Sequence, residues 1–501
     1  MIKTSTSFVT DHKYLQAIYD NAERILLSSV KSFGDRAVAV RRPNAAEMTL
    51  NSEVLSAATL AAYAPETAIN TVKAFLATQR EDGRFADSIC CRGEGIFPRY
   101  NVLTGFCFAE EALSLYYLTR KKDAEYLDAL LTALERFDSY LWQYHDLNFN
   151  NCLEVFGAEE TEEGVGTNRY SAIRVEHYGE MRDVSPFPIE SSDLMACDVA
   201  IRRTISRIYS LREDGENAGL WQKKADAVQA NLKQMLWVES KGACFDRDYR
   251  GSGMDALTVN NLFMMYYGAF DADMAKTFLD RHLRDPQGFF TAFPLPTVAV
   301  RDRCFVNSGL PNFNGQSRGM SYRRAIGALE RYGFYSYLTD IGEKFLRAVS
   351  DGCFAEQFDP FTGEGVCKGD ADEYTPTASA ALTLLSGFFG IRQQMDRLHW
   401  GALGHREGYT SEYSFTWGGD TFRMVAERDI SSGFVGDRPL FTVTNGMRVI
   451  TDLYGNVVRV VNITDQPIDG VLVCKERTYS FSLQSDEAFD LQEPTEAQAE
   501  M

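Results

Sequence analysis

Between residue 12 and about 398, apolar side chains recur every three or four positions and short polar turns interrupt them, the signature of amphipathic helices. Over residues 126–144, Leu127, Leu130, Leu131, Leu134, Phe137 and Leu141 build one apolar face. Residues 105–118 do so more loosely with Phe106, Leu113 and Tyr117. The charged turn Thr119-Arg120-Lys121-Lys122-Asp123 joins the two into an antiparallel pair. The pattern repeats over 198–211 (Ile201, Ile205, Ile208), 221–237 (Val228, Leu232, Met235), 321–332 (Ile326, Leu329), 338–349 and 373–389. About a dozen helices arranged as hairpins are too many for one bundle seam, so the spacing predicts a toroid of helix pairs.

Beyond residue 398 the period changes to two. Residues 440–443, 447–450, 457–463 and 471–474 read as strands, separated by the turn signals Asn445-Gly446 and Gly455-Asn456. The expected architecture is therefore an all-α toroid over 1–398, a small antiparallel β appendage over 399–485, and an acidic disordered tail over 486–501. Long loops rich in aromatic, Asn, Gly and acidic residues interrupt the helices at 79–100, 147–193, 241–256, 285–321 and 351–372. Loops beyond about 12–15 residues in a folded domain tend to be functional. Gathered at one end of a toroid, they would wall a pocket.

Charge narrows the ligand. Seventy acidic residues against 51 basic ones leave a net charge of -19, which repels nucleic acid and anionic membrane surfaces. A small neutral molecule is the easier partner. No signal-peptide pattern opens the chain and no apolar run is long enough for a membrane span. The ten cysteines are scattered without a C-x-x-C pair, so a cytoplasmic protein with buried thiols and no metal site is expected.

Two Gly/Pro-punctuated loops present carboxylates beside aromatics. The first runs Glu176-His177-Tyr178-Gly179-Glu180-Met181-Arg182-Asp183-Val184-Ser185-Pro186 and leads to Glu190-Ser191-Ser192-Asp193-Leu194, where Ser191 or Ser192 could cap a helix. The second is Phe354-Ala355-Glu356-Gln357-Phe358-Asp359-Pro360-Phe361-Thr362-Gly363. Glycoside hydrolysis needs such a pair: one carboxylic acid protonates the leaving oxygen, and one carboxylate activates water or attacks the sugar. Composition leaves the choice open, because Glu180, Glu190 and Asp193 compete with Asp183, and a solvated loop carboxylate is an ordinary thing. Asp359 before Pro360 reads as an Asx brace, and Asn148, Asn150, Asn151 and Glu154 as either a pocket rim or a turn.

The succession of motifs resembles glycoside hydrolase family 63 and its bacterial mannosylglycerate-hydrolase-like relatives, which are akin to trehalases. Gly179-Glu180-Met181-Arg182-Asp183-Val184-Ser185-Pro186 with Ser192-Asp193-Leu194 resembles the family's E-S-G-M-D-N-S-P and S-x-D-L elements, with one residue inserted. Leu236-Trp237-Val238 with Ala243-Cys244-Phe245-Asp246-Arg247-Asp248 resembles L-W-D-x-x-x-G-F-Y-x-D-Y-D, and Gln316-Ser317-Arg318-Gly319-Met320-Ser321-Tyr322 echoes Y-W-R-G-P-V-W. The element at Glu356 matches E-x-F-D-P-x-T-G.

That resemblance, over roughly residues 12–390, implies an (α/α)6 barrel, an inverting mechanism, and no metal or organic cofactor. It makes Asp183 the general acid and Glu356 the general base, with Tyr178, Glu180, Asp193, Gln316, Arg318 and Tyr322 as substrate-binding candidates. Exo-action, α-glucosidase-like, on a small neutral α-linked glucoside or related α-hexoside suits a closed-ended toroid pocket. Several tryptophans of the family pattern are missing: Ser317 and Tyr322 stand at two of them, Pro376 near a third, and residues 48–53 lack the W-D-x-x-F element. A sugar isomerase or epimerase on a helical toroid, or a carbohydrate-binding relative without catalysis, are the rival readings. Only six histidines, with His177 alone in a motif loop, count against the isomerase.

Overall fold

The computed structural model describes residues 3–33, 36–92, 95–103, 108–120, 122–157, 160, 187–248, 251, 253–254, 256–309, 314–366, 373–405 and 408–491. Among them the helical periodicity resolves into twelve α-helices. These are α1 (Lys13–Ser28), α2 (Leu50–Leu60), α3 (Pro65–Ala77), α4 (Phe108–Leu118), α5 (Ala124–Tyr144) and α6 (Ser192–Leu211). The others are α7 (Gly215–Leu236), α8 (Asn260–Tyr266), α9 (Ala272–Phe278), α10 (Gly319–Arg331), α11 (Tyr335–Ala348) and α12 (Thr375–Phe389).

Burial sorts them into two kinds. Helices α8 and α12 are buried at every position, and α4 and α10 at nearly every one. Helix α1 buries one stripe, Ile18, Tyr19, Ala22, Ile25 and Leu26, and α7 buries Ala218, Trp221, Ala225, Val228, Leu232 and Leu236. An all-round apolar helix must be enclosed, whereas a striped one can face water. Packing agrees: α2, α4, α6, α8, α10 and α12 each touch the next, and α12 returns to α2 to close a ring. The striped helices pack outside. Because an outer helix separates consecutive inner ones, all six inner helices begin at the same end of the ring. Asp123, Ser191, Asp214 and Asp271 cap helices by accepting N–H bonds two or three residues into the first turn.

The expectation of an all-α protein is wrong. Of the described residues about 41% are helix and 26% strand, and most of the strand residues form two large antiparallel sheets rather than a small appendage. In chain order they are β1 (Thr4–Thr10), β2 (Ile391–Gln394), β3 (Arg397–Ala402), β4 (Ser411–Trp417), β5 (Asp420–Ala426) and β6 (Ile430–Val435). They continue as β7 (Arg438–Thr444), β8 (Met447–Asp452), β9 (Val457–Asn462), β10 (Ile468–Cys474), β11 (Arg477–Leu483) and β12 (Ala488–Asp490). One sheet has seven strands in the order β1-β4-β5-β6-β7-β10-β11, the other five in the order β2-β3-β8-β9-β12.

Strand β1 comes from the other end of the chain and pairs with β4 in the register Thr4↔Trp417 to Thr10↔Ser411. The first residues therefore belong to the sheet, and the strands resume at Ile391, before the boundary expected at 398. Gly401 is where β3 meets α12: a Cβ there would lie 2.4 Å from the carbonyl oxygen of Gly387. Of the expected tail, Asp486 accepts from the backbone and hydroxyl of Ser336 at 2.6 and 2.9 Å, β12 follows it, and residues 492–501 lie outside the described part.

Candidate active site

At the end of the ring where the inner helices begin, a two-residue antiparallel ladder joins the loop entering α10 to the loop after α11. Its register is Ser317↔Phe358 and Arg318↔Gln357. Gly319 then donates its N–H to the carbonyl of Glu356 at 3.1 Å. The glycine is required there, because a Cβ would sit 1.8 Å from Thr377 Oγ1, and that hydroxyl donates to the carbonyl of Ala355 at 2.7 Å. Glu356 is thus held through its backbone by α10 and through its neighbour by α12.

The ladder rests on an aromatic block. Phe293 stacks on Phe358 with ring centroids 4.4 Å apart, and Tyr322 packs against Phe293 and Phe345. Ser317, at a position where the family pattern has Trp, is fully buried and donates its hydroxyl to the carbonyl of Phe293 at 3.0 Å. A one-turn brace follows: Asp359 accepts from the N–H groups of Phe361 and Thr362 at 2.8 and 3.0 Å and from Asn307 at 2.7 Å. Burial would raise the Asp359 carboxyl, but these hydrogen bonds outweigh it and hold the group below its ordinary value.

The Glu356 carboxylate lies between two guanidinium groups. Arg42 Nη2 approaches Oε2 at 2.7 Å, and Arg318 Nη2 stands 3.7 Å from Oε1. The glutamate side chain keeps 28% of its surface exposed and Arg318 only 11%, so the carboxylate is reachable while Arg318 is packed. Arg42 also lies over the ring of Tyr374, 5.3 Å from its centroid. Burial pushes the Tyr374 hydroxyl well above its ordinary range, and the Glu356 charge adds to this. The loop carrying Arg42 is pinned next door, where Glu53 accepts from the N–H of Arg41 at 2.8 Å and the hydroxyl of Thr49 at 2.6 Å.

A second polar group surrounds the start of α6. Asp193, in its first turn, is buried and accepts from Asn260 Nδ2 at 2.5 Å. Ser192 donates both its N–H and its hydroxyl to Asp246, at 2.9 and 2.6 Å. Glu190 is ion-paired with Arg247 at 2.5 Å and bonded to Asn150 at 2.5 Å. Glu154 accepts from Leu147 N–H and Asn148 at 3.0 and 3.1 Å, and burial raises its carboxyl. These contacts brace the chain into α6, with Glu190 joined to both Arg247 and Asn150.

Of the residues singled out from sequence, Glu356 and Arg318 come together. Gln316 is buried just before them, its carbonyl accepting from Thr297 N–H at 3.2 Å. Tyr322 does not join them: it is fully buried and its hydroxyl donates to the carbonyl of Pro294 at 2.8 Å. The expectation that it touches substrate is therefore corrected, since both its ring and its hydroxyl are committed to the core. Tyr178, Glu180 and Asp183 lie outside the described residues. Sequence reasoning missed Arg42, whose only signal is the Arg41-Arg42-Pro43 run before α2, and missed Asn260 as the partner of Asp193. Among the described residues no group of histidine, cysteine and acidic side chains could hold a metal ion.

Residues 47–377 match the family profile described as the mannosylglycerate hydrolase MGH1-like glycoside hydrolase domain. No curated protein matches the chain by sequence. Among solved structures, the GH63 mannosylglycerate hydrolase from Thermus thermophilus in complex with glucose is 17% identical, with a TM-score of 0.60 over 73% of this chain and 99% of that one. Neutral trehalase from Saccharomyces cerevisiae is 14% identical, with a TM-score of 0.51 over 73% of this chain and 79% of that one. A GH78 family rhamnosidase of a Bacillus species covers 86% of this chain and 40% of its own length, at 14% identity and a TM-score of 0.56. At such identities the likeness is one of fold.

Proposed function

The chain belongs to the mannosylglycerate hydrolase MGH1-like glycoside hydrolase family, and from that premise we propose that it cleaves a small α-linked sugar with inversion, using Glu356 as general base and Asp183 as general acid. That it is a glycoside hydrolase follows from the family; the residues and the stereochemistry are our reading. The observation that supports it is the Glu356 carboxylate, presented between Arg42 and Arg318 where the inner helices begin.

In this mechanism Glu356 accepts a proton from water as the water oxygen attacks the anomeric carbon. Asp183 gives its proton to the departing glycosidic oxygen, so that the C–O bond breaks as the new one forms. Inversion requires room for that water, and the two carboxyl groups are then about 6.5–9.5 Å apart. The backbone bond from Gly319 and the ladder at Arg318 keep Glu356 from drifting, which is how a base reaches a high effective concentration. Gln316, Arg318 and Asp193, with Tyr178 and Glu180, are proposed to bind the substrate, a neutral α-glucoside or related α-hexoside. Among the described residues no helix is long and apolar enough to cross a membrane, and we propose a cytoplasmic location.

Incubation with a panel of α-linked nitrophenyl sugars and disaccharides, with NMR of the first-formed anomer, tests the reading. Release of a sugar with inverted configuration supports it. Retention of configuration excludes the single displacement by water at the anomeric carbon, and ring rearrangement without cleavage, or binding alone, excludes hydrolysis.

A further inference from the structure

The ring holds a cavity away from the Glu356 loop. It has a volume of about 310 Å³ and lies inside the inner ring, closed by the β2–β3 hairpin and β4. All six inner helices contribute to it: Thr59, Ser114, Arg207, Tyr266, Arg323 and Thr383 stand on its wall. That volume sits at the lower end of small-molecule sites, which run from about 300 to 1,000 Å³.

The wall is charged and its charges are ordered. Four guanidinium groups, Arg207, Arg323, Arg331 and Arg392, line it against three carboxylates, Glu110, Glu111 and Glu330. Each carboxylate already has a cation: Arg331 on Glu110 at 2.5 Å, Arg323 on Glu111 at 3.3 Å, and Arg392 on Glu330 at 2.5 Å. Tyr266 donates to Glu111 at 2.8 Å, and Arg448 approaches Glu330 from behind. Arg207 reaches Asp396 only at 3.7 Å, outside this wall, and otherwise donates to the hydroxyl of Tyr117 at 2.9 Å. The acids are thus saturated and the cations are not. Arg323 itself is only 9% exposed.

We propose that this cavity is a second ligand site, distinct from the hydrolytic one, that takes a compact oxyanion such as a phosphate or a small carboxylate. An excess of guanidinium on the wall selects an acceptor carrying negative charge, and guanidinium forks suit oxyanion geometry. A neutral sugar would leave that excess uncompensated. Gln393, Gln394 and Met395 line the hairpin side, and Gln394 is exposed, so a small ion can enter from there.

Titration calorimetry with inorganic phosphate and with malonate, each against chloride at equal ionic strength, tests the site. One saturable binding event is expected with at least one of the two anions, and the stronger binder identifies the ligand chemistry. Arg323→Gln should weaken it about tenfold, the loss of one charge-assisted hydrogen bond. Gln393→Glu, a change on the surface hairpin that leaves every arginine in place, should weaken it through repulsion and guards against a misfolded arginine variant. Arg42→Ala should leave it unchanged. The proposal falls if neither anion binds above chloride, if binding survives both Arg323→Gln and Gln393→Glu, or if Arg42→Ala alone removes it.

Discussion

Arg42 and Glu356, 314 positions apart in the chain, meet side chain to side chain at 2.7 Å. The contact ties the segment before α2 to the loop after α11, across the seam where α12 returns to α2. It also places a cation against the carboxylate proposed to activate water.

Removing the carboxylate should remove catalysis and little else. Glu356→Gln is expected to lower kcat by about 10²–10⁴-fold, the usual worth of a general base, with the melting temperature unchanged because the side chain is partly exposed. Asp183→Asn should do the same. Full activity in either variant takes that residue out of the mechanism.

Arg42→Ala tests orientation rather than chemistry. Glu356 keeps its backbone bond to Gly319 but loses its nearest cation. Turnover is expected to fall by less than in Glu356→Gln, and Arg42→Lys should restore part of it. Equal losses in Arg42→Ala and Glu356→Gln would mean that Arg42 itself handles substrate.

Gly319→Ala should damage both fold and activity. The new methyl would meet Thr377 Oγ1 at 1.8 Å and Cβ at 2.8 Å, and overpacking of this kind costs about 1–3 kcal/mol. Pairing it with Thr377→Ala removes the closest atom, so chemical denaturation should show part of the loss recovered.

Acid should destabilise the junction between ring and sheets in two stages. Burial, with Arg392 and Arg448 alongside, pushes His399 from 6.5 down to about 3, and burial with His12 nearby pushes His405 to about 4. Both are neutral in the fold but protonated when unfolded below about 6.5, so their contribution is full above that pH and declines below it. Glu330 adds a later stage. Burial would raise it, but Arg392 and Arg448 overcome this and bring it down to about 2 from 4.5. Its contribution is present above 4.5 and fades as pH falls toward 2. Melting curves from about pH 7 to 3 should show a progressive fall that His399→Gln makes shallower; identical slopes in wild type and variant would refute the assignment.

Deleting residues 3–10 should destabilise the whole chain although it removes a terminus. It strips β1 from β4 and leaves β4 as an unprotected edge. That strand also anchors the ring, since Trp417 donates to the carbonyl of Leu118 at 2.8 Å and lies under Arg120. A lower melting temperature with concentration-dependent aggregation is expected from light scattering.

Much of this was written locally. Leu127, Leu130, Leu134 and Leu141 line one face of α5 whatever surrounds them, and the spacing alone locates the helix. The Glu356 loop was legible because Asp359, Pro360 and Gly363 form a local turn, with Asp359 accepting from Phe361 and Gly363 donating back to it. The alternation Tyr413, Phe415, Trp417, then Phe422, Met424, Ala426, is equally local and marks β4 and β5, although the strands were expected to begin only near 440. The period of α6 shows only from residue 198, because Ser192–Cys197 are buried on all sides, whereas the capping signal at Ser191 marks its true start.

Tertiary structure decided the rest. β1 buries a single residue, Phe8, with Val9 exposed among Thr and Ser, and becomes a strand only because β4 offers it an edge. Tyr322 reads as a pocket aromatic from its place in a motif, but the helical turn aims it into Phe293 and Phe345. The Arg41-Arg42-Pro43 run does not say which carboxylate Arg42 will meet. Periodicity arises between neighbours in the chain and can be read there; a salt bridge or a strand partner hundreds of positions away exists only once the ring has closed.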